Sequence, residues 1–218
     1  MPYTKQTWKN GSTGGTPLNK DRLGHMEDGI QEASDRLGVL EARSTNPNGL
    51  LGWAYDPLNA SQNTASGVTF TSGTLYLMKM MIPVSGPVTN IFTILAASGT
   101  GLTTGQNLVG LYSAGGALLG QAADQTTAWQ GATGVQTMPL TSPVNVVRGF
   151  HYVGLLSVGT TLPGFSRNSI IGGAGLTVGL TSGNYRQIAG PTGQTSLPSS
   201  VTMSSGSASS WVIWCAVS

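Results

Sequence analysis

Apolar positions along this chain follow two rhythms. Leu23, Met26, Ile30, Ala33, Leu37 and Leu40 recur at intervals of three and four, the spacing that lines one side of a helix and forms the a/d seam of a coiled coil. Thr16-Pro17 supplies an N-cap and a first helical residue upstream, and residues 1–15 read as an irregular arm. The helical rhythm stops at STNPNG (44–49), where Pro47 and Gly49 break it. Beyond lie short β-like runs: LLGWAY (50–55), TLYLMKMMI (74–82), VTNIFTILAA (88–97), NLVGLYS (107–113), ALLGQAA (117–123), GVQTMPL (134–140), GFHYVGLLSV (149–158) and SWVIWCAV (210–217). The segments between them, such as SGP, SGTG, TSP, VGTT and GPTG, are turn chemistry. NLVGLYS and ALLGQAA, joined by AGG, predict a hairpin. Strands at this spacing with no helices between them predict a mainly β fold, an antiparallel β-sandwich of jelly-roll type. The expected division is 1–46 for arm and helix and 47–218 for the sandwich. The Ser/Gly-rich stretch 191–210 reads as a surface loop ahead of a closing strand.

Several strands are apolar on both faces. In SWVIWCAV, Trp211, Ile213, Cys215 and Val217 alternate with Val212, Trp214 and Ala216; in GFHYVGLL, Phe150, Tyr152 and Leu156 oppose Val153 and Leu155. A strand with one wet face shows polar residues there. These sheets are therefore covered on both sides, or their second face meets another subunit.

Charge divides the chain at the same point as the rhythm. Charged residues are only 8% of the total, against roughly 25% in an ordinary domain. Most of them fall in residues 1–45; residues 46–218 hold only Asp56, Asp124, Lys79, Arg148, Arg167 and Arg186. With a net charge of +2 and no basic cluster beyond the N-terminal segment, nucleic-acid binding is a poor fit, because phosphates require several cations along one face. No apolar run reaches the roughly 18 residues of a membrane helix, and MPYTKQTWKNGS lacks the core of a signal peptide. The expectation is release from the cytoplasm without a leader. One cysteine, Cys215, excludes an intrachain disulfide.

The helical charges have a pattern of their own. With Leu23, Ile30 and Leu37 at a and Met26, Ala33 and Leu40 at d, Arg22 and Arg36 fall at g, and Glu27 and Glu41 at e. In a parallel coiled coil Arg22 meets Glu27 of the neighbour and Arg36 meets Glu41, both attractively. Glu32 and Arg36 form an i,i+4 pair within one helix. Against this, the seam is roughly two and a half heptads, shorter than a secure coiled coil, and Gly24, Gly29 and Gly38 each cost about 1 kcal/mol relative to Ala. Two packings fit the stripe: a multichain bundle, or a single amphipathic helix lying on its own β domain.

The inventory for catalysis is thin. His25 and His151 are the only histidines, too few with Cys215 for a zinc site. Asp56 and Asp124 are the only acids of the β region, so a glycosidase would need that pair. GTGLTTGQN lacks the lysine of a phosphate loop, and GLYSAGG and GLLSVG do not match G-x-S-x-G. The expectation is no enzyme, no metal and no cofactor. For binding, the weak candidate is Trp129, since DQTTAWQGATG reads as a loop and loops carry binding residues. A soluble carbohydrate-binding module remains an alternative on that ground.

TWKNGSTGGTPLNKDRLGHMEDGI resembles the N-terminal segment of many tailed-phage virion proteins. GTLYLMKMMIPVSGPVTNI, SGTGLTTGQNLVGLYSAGGALLGQAADQTTAW and RGFHYVGLLSVGTTLPGFSRN resemble minor tail, fibre and receptor-binding proteins of phages infecting actinobacteria. Together the similarity spans most of the chain. It implies a homotrimeric, non-enzymatic virion component, anchored to other virion proteins through its N-terminal segment and presenting a β-sandwich to a host surface glycan. A capsid decoration protein or head fibre is the nearest alternative. The resemblance places no catalytic or ligand residues.

Overall fold

A computed structural model describes residues 20–44, 51–54, 63–168, 179–209 and 211–218. The arm, Thr16-Pro17 and the boundary expected at 46/47 lie outside the described residues. The chain separates into two compact units, Met1–Gly49 and Leu50–Ser218. The first contains helix α1, Lys20–Ser44, which runs unbroken through Gly24, Gly29 and Gly38. Among the described residues no helix is long and apolar enough to cross a membrane.

The second unit is mainly β and antiparallel. In chain order it contains β1 (Gly52–Ala54), β2 (Asn63–Thr69), β3 (Leu75–Ile82), β4 (Gly86–Ala97), β5 (Thr100–Leu102), β6 (Leu108–Ser113), β7 (Leu118–Gln121), α2 (Thr126–Gln130), β8 (Gly134–Val146), β9 (Gly149–Leu156), β10 (Gly159–Thr161), β11 (Gly164–Asn168), β12 (Gln187–Ala189), β13 (Ser207–Ala208) and β14 (Cys215–Val217). From β4 the hydrogen-bonded path runs through β14, β1, β3, β9 and β6 to β7. Thr93 of β4 pairs with Cys215 on one edge and with Gln136 of β8 on the other. A bridge between Ala122 and Leu140 then joins the β7 end to β8, so the pairings close into a circuit, an arrangement consistent with a β-sandwich. β2 and β11 extend β4, β5 pairs with β10, and β12 lies between β3 and β13. The expected hairpin is present as β6–β7.

Alternation sets what faces inward. Met138, Leu140 and Val146 of β8 are buried while most residues between them are exposed, the pattern of a strand with one wet face. In β4 the buried positions shift from Val88 to Ile91, Thr93 and Leu95; the register breaks between Val88 and Asn90, as an extra residue in a bulge requires. The main core collects Tyr76, Met78, Met80 and Ile82 of β3 with Val109, Leu111, Val153 and Leu155. An aromatic chain crosses it. Phe70 stacks on Tyr76 at 4.5 Å and on Phe165 at 4.9 Å, Trp129 meets Phe165 edge-on at 5.1 Å, and Tyr76 leans on Trp211 at 5.5 Å. These are favoured separations for aromatic pairs.

The opposite faces of β3, β6 and β9 form a second core, with Leu75, Leu77, Leu108, Tyr112, Tyr152 and Leu156. Its cover comes from the same chain: Ile188, Leu197, Val201 and Met203 pack there. The stretch expected to be a surface loop is thus the lid of a second core, and of the two explanations for apolar second faces these three strands take intrachain cover. Tyr112 Oη donates to the Pro198 carbonyl at 3.1 Å, and Tyr152 Oη to that of Gly183 at 3.0 Å. Burial holds both phenols above their usual pKa. Gly110 and Gly154 pair across β6 and β9; a Cβ on Gly110 would lie 2.7 Å from Leu197 and one on Gly154 2.7 Å from Tyr112, so a larger residue at either would press on the second core. The β6–β7 turn pins the lid. Val201 N donates to Gly116 O at 2.8 Å and Leu118 N to Ser199 O at 2.9 Å.

A network around Asn107 satisfies several buried polar groups locally, as exclusion of water demands. Asn107 is fully buried. Its Nδ2 donates to Thr103 O and Thr126 Oγ1, and its Oδ1 accepts from Ser157 Oγ and Val158 N. Asp124 accepts from Asn107 N and Thr126 Oγ1. Cys215 is enclosed, and burial pushes its thiol up to about 12 despite a bond from Thr93.

Candidate functional site

Two places combine unusual exposure or charge with geometry: the stripe on α1 and a cavity in the β unit.

On α1, Met26, Ile30 and Leu37 are 58%, 47% and 56% exposed. Ala33 is exposed and Leu23 half-buried. The side chains of Leu40, Arg22 and Glu41 lie outside the described residues. Arg36 forms its ion pair with Glu32 of the same helix, as the i,i+4 spacing predicts. Glu27, expected to face a neighbouring chain, is only 7% exposed and engaged within the single chain. Burial of a carboxylate demands local partners, which spacing on a helical wheel does not reveal.

Trp129 does not lie on a binding loop. It is fully buried in α2, where its backbone N–H donates to Gln125 O and its backbone carbonyl accepts from Gly99 N, both at 2.8 Å. Polar neighbours suggested a loop, yet Thr126 and Trp129 are three apart and both buried, the spacing of one helical face. That spacing was the signal available.

The cavity was not anticipated. It grows out of β3, LYLMKMMI, an apolar strand with one charge. Lys79 shares the face of Leu75 and Leu77 and lies opposite Tyr152 of β9. Two residues along β9, on the same face, is Phe150. The backbone bond from Lys79 N to Arg186 O, 2.8 Å, sets Arg186 beside Lys79 just before β12. Where the second core ends, Lys79, Phe150, Leu180, Thr181, Asn184 and Arg186 therefore line an open cavity of about 300 Å³.

Lys79 is only 8% exposed. Its Nζ lies 4.3 Å from the centre of the Phe150 ring, a cation–π distance. It also donates to Asn184 Oδ1 at 3.3 Å and Asn184 O at 3.4 Å, both long for a charged donor. Burial lowers its pKa. Phe150 is 43% exposed, and Asn184 Nδ2 reaches Thr181 Oγ1 at 3.4 Å. Asp124 is the only carboxylate side chain among the described residues of this unit, and it serves the Asn107 network. Among the described residues no cluster of His, Cys, Asp and Glu is placed to hold a metal ion. His151, on the other face of β9, is buried and its Nδ1 lies 3.2 Å from Gly149 O.

No protein-family model matches the sequence, and no curated protein matches it either.

Proposed function

We propose that this chain is a virion structural protein of a tailed phage, of minor-tail or fibre type, in which the N-terminal segment joins copies and seats them on the particle while a jelly-roll-like β unit is displayed toward the host surface. The observation that carries the reading is the helix stripe: Met26, Ile30, Ala33 and Leu37 repeat at a/d spacing and all are exposed on the single chain. Exposed apolar stripes of this kind are ordinarily buried by partners. A second copy is the occupant that best fits, because self-association brings Arg36 at g opposite Glu41 at e. The number three, the virion setting and the seating on other virion proteins come from the resemblance of TWKNGSTGGTPLNKDRLGHMEDGI and the β segments to phage proteins. The β unit is compatible with that role. It covers the second faces of its central strands from its own chain, and it is nearly free of charge, with an exterior of Ser, Thr, Asn, Gln and Gly. Three displayed units per spike, and many spikes per particle, convert weak contacts into firm attachment through effective concentration.

Light scattering of the full chain at micromolar concentration tests it. The expected result is three chains per particle, and one chain per particle for the double variant Ile30→Asp, Leu37→Asp, with the near-UV spectrum of the β unit unchanged. A monomeric full chain defeats the reading.

A further inference from the structure

We propose that residues 191–205 are a strap that opens as one unit on a closed neck, baring part of a preformed apolar sheet face while the rest of the β unit stays folded. The device lies wholly within the β unit and does not depend on how many chains associate.

The neck comes first. β12 and β13, on either side of the segment, pair with each other through Ile188–Ala208 and Ala189–Ser207, and β12 is tied to β3 as well. A Cβ on Gly206 would fall 2.2 Å from Ile188, so the two ends meet closely. Residues 191–205 therefore form a loop whose ends are fixed side by side, an Ω-loop. Its release leaves the strand pairs of the neck intact.

Few groups hold the strap down. Leu197, Val201 and Met203 are its buried side chains, while Thr195, Ser196, Ser199, Ser200 and Thr202 between and beside them are exposed. Gln194 N donates to Gly73 O, Leu118 N to Ser199 O and Val201 N to Gly116 O; Tyr112 Oη and Ser182 Oγ reach the Pro198 and Ser204 carbonyls. A segment with few buried side chains and much exposed backbone sits at the end of the stability range that opens without global unfolding. These anchors alternate with the buried side chains along the strap, so lifting Leu197 off Gly110 loosens the bonds at Pro198, Ser199 and Val201 together.

The face beneath is built without the strap. β9 is paired along both edges, with β3 and with β6, and the main core packs on the opposite side of the same strands. Lifting the strap bares part of the second core, beside Tyr112 and Leu108, on a standing sheet with glycine at its floor. The uncharged exterior thus carries a latent apolar surface, shown only in the open form.

Amide exchange of the full-length protein, followed by NMR, decides the matter. The amides of Leu118, Gln194 and Val201 are expected to exchange at one common rate, about tenfold or more faster than those of 77–80 and 151–155. Ala117 and Ser200 are partners in an antiparallel bridge, about 4.5 Å apart at Cα in a pair of this kind, so Ala117→Cys with Ser200→Cys supplies a reducible lock; Cys215 is buried and stays out of it. Oxidation is expected to slow the three strap amides about tenfold and to leave β3 and β9 unchanged. Leu197→Ser is expected to bind the dye 8-anilinonaphthalene-1-sulfonate with the near-UV spectrum retained. Tyr112→Phe, which removes only the bond to Pro198, is expected to raise strap exchange severalfold and carries the test if the serine variant does not fold. Three results overturn the proposal: strap amides no faster than those of β3 and β9, strap amides with unrelated rates, or an oxidised lock that leaves those rates as they are in the reduced form.

Discussion

Helix α1 and the β unit treat apolar surface in opposite ways. The helix keeps both signs of charge and leaves Met26, Ile30 and Leu37 in water. The β unit has shed nearly all charge, and it buries both faces of β3 at Leu75–Met80 under its own elements. A helix of 25 residues cannot enclose a stripe by itself, and its glycines weaken it further. A sheet can be wrapped, because the chain returns over it with Ile188, Leu197, Val201 and Met203. Surface composition thus follows from who does the covering. The part that covers itself carries few charges, whereas the part that leaves its stripe bare keeps both signs of charge beside it.

The largest break in this comparison comes from the aromatic chain. Trp129→Ala removes a fully buried ring packed on Phe165 and is expected to cost the β unit about 3–5 kcal/mol in urea unfolding, while the helicity of α1 persists. If helix and sheet lose structure together at the lower midpoint, the two are not separate answers to the problem of cover.

Next in size is the lid. Gly116 has φ of +91°, and a Cβ there would fall 1.9 Å from Val201 O. Gly116→Ala is expected to cost about 1–3 kcal/mol and to speed amide exchange at 199–203 before exchange rises in β3. Uniform exchange would mean that the lid is not a distinct cover.

Lys79→Met has the opposite sign. A buried ammonium with long hydrogen bonds gives way to an apolar chain of similar length, with an expected gain of about 1 kcal/mol in urea stability. A loss of stability would identify Lys79 as a structural residue whose cation–π contact outweighs its desolvation.

The smallest effect is a titration. Burial holds the His151 pKa below 6.5, with the bond to Gly149 opposing in part. The folded state takes up this proton less readily than the unfolded chain, so its contribution is complete above 6.5 and is lost as pH falls through the folded value. The urea midpoint should fall on that acid side, and His151→Gln should flatten the slope. Lys79, also lowered by burial, adds stability as pH rises toward 10.5 by the same reasoning.

Long runs were the legible part of the fold. β3, β4, β6, β7 and β9 are strong patterns between turn residues, each found close to where the pattern places it, while β8 runs on past GVQTMPL through the TSP read as a turn to Val146. β2, β5, β10 and β13 are NTASGVT, TGL, GTT and SA. No apolar run marks them, and they are strands because a neighbour's edge pairs with them. Trp129 reads as a loop residue because a five-residue helix among polar neighbours leaves only the Thr126–Trp129 spacing as a sign of one buried face. The cavity was invisible for a different reason: Lys79, Phe150 and Arg186 are far apart in sequence, and only the pairing of β3 with β9 and β12 assembles them.

By itself, the sequence settled what depends on neighbours along the chain: a helix with its stripe, the principal strands, the β6–β7 hairpin, and the partition of charge between the two regions. These are matters of period, turn chemistry and composition, complete within a dozen residues. Tertiary structure decided what depends on register and return: which strand faces acquire a lid, that a Ser-rich stretch is that lid, that Trp129 points inward, and that two cations share one cavity. An extended strand exposes two equivalent faces, and nothing local says what will come back to cover either one.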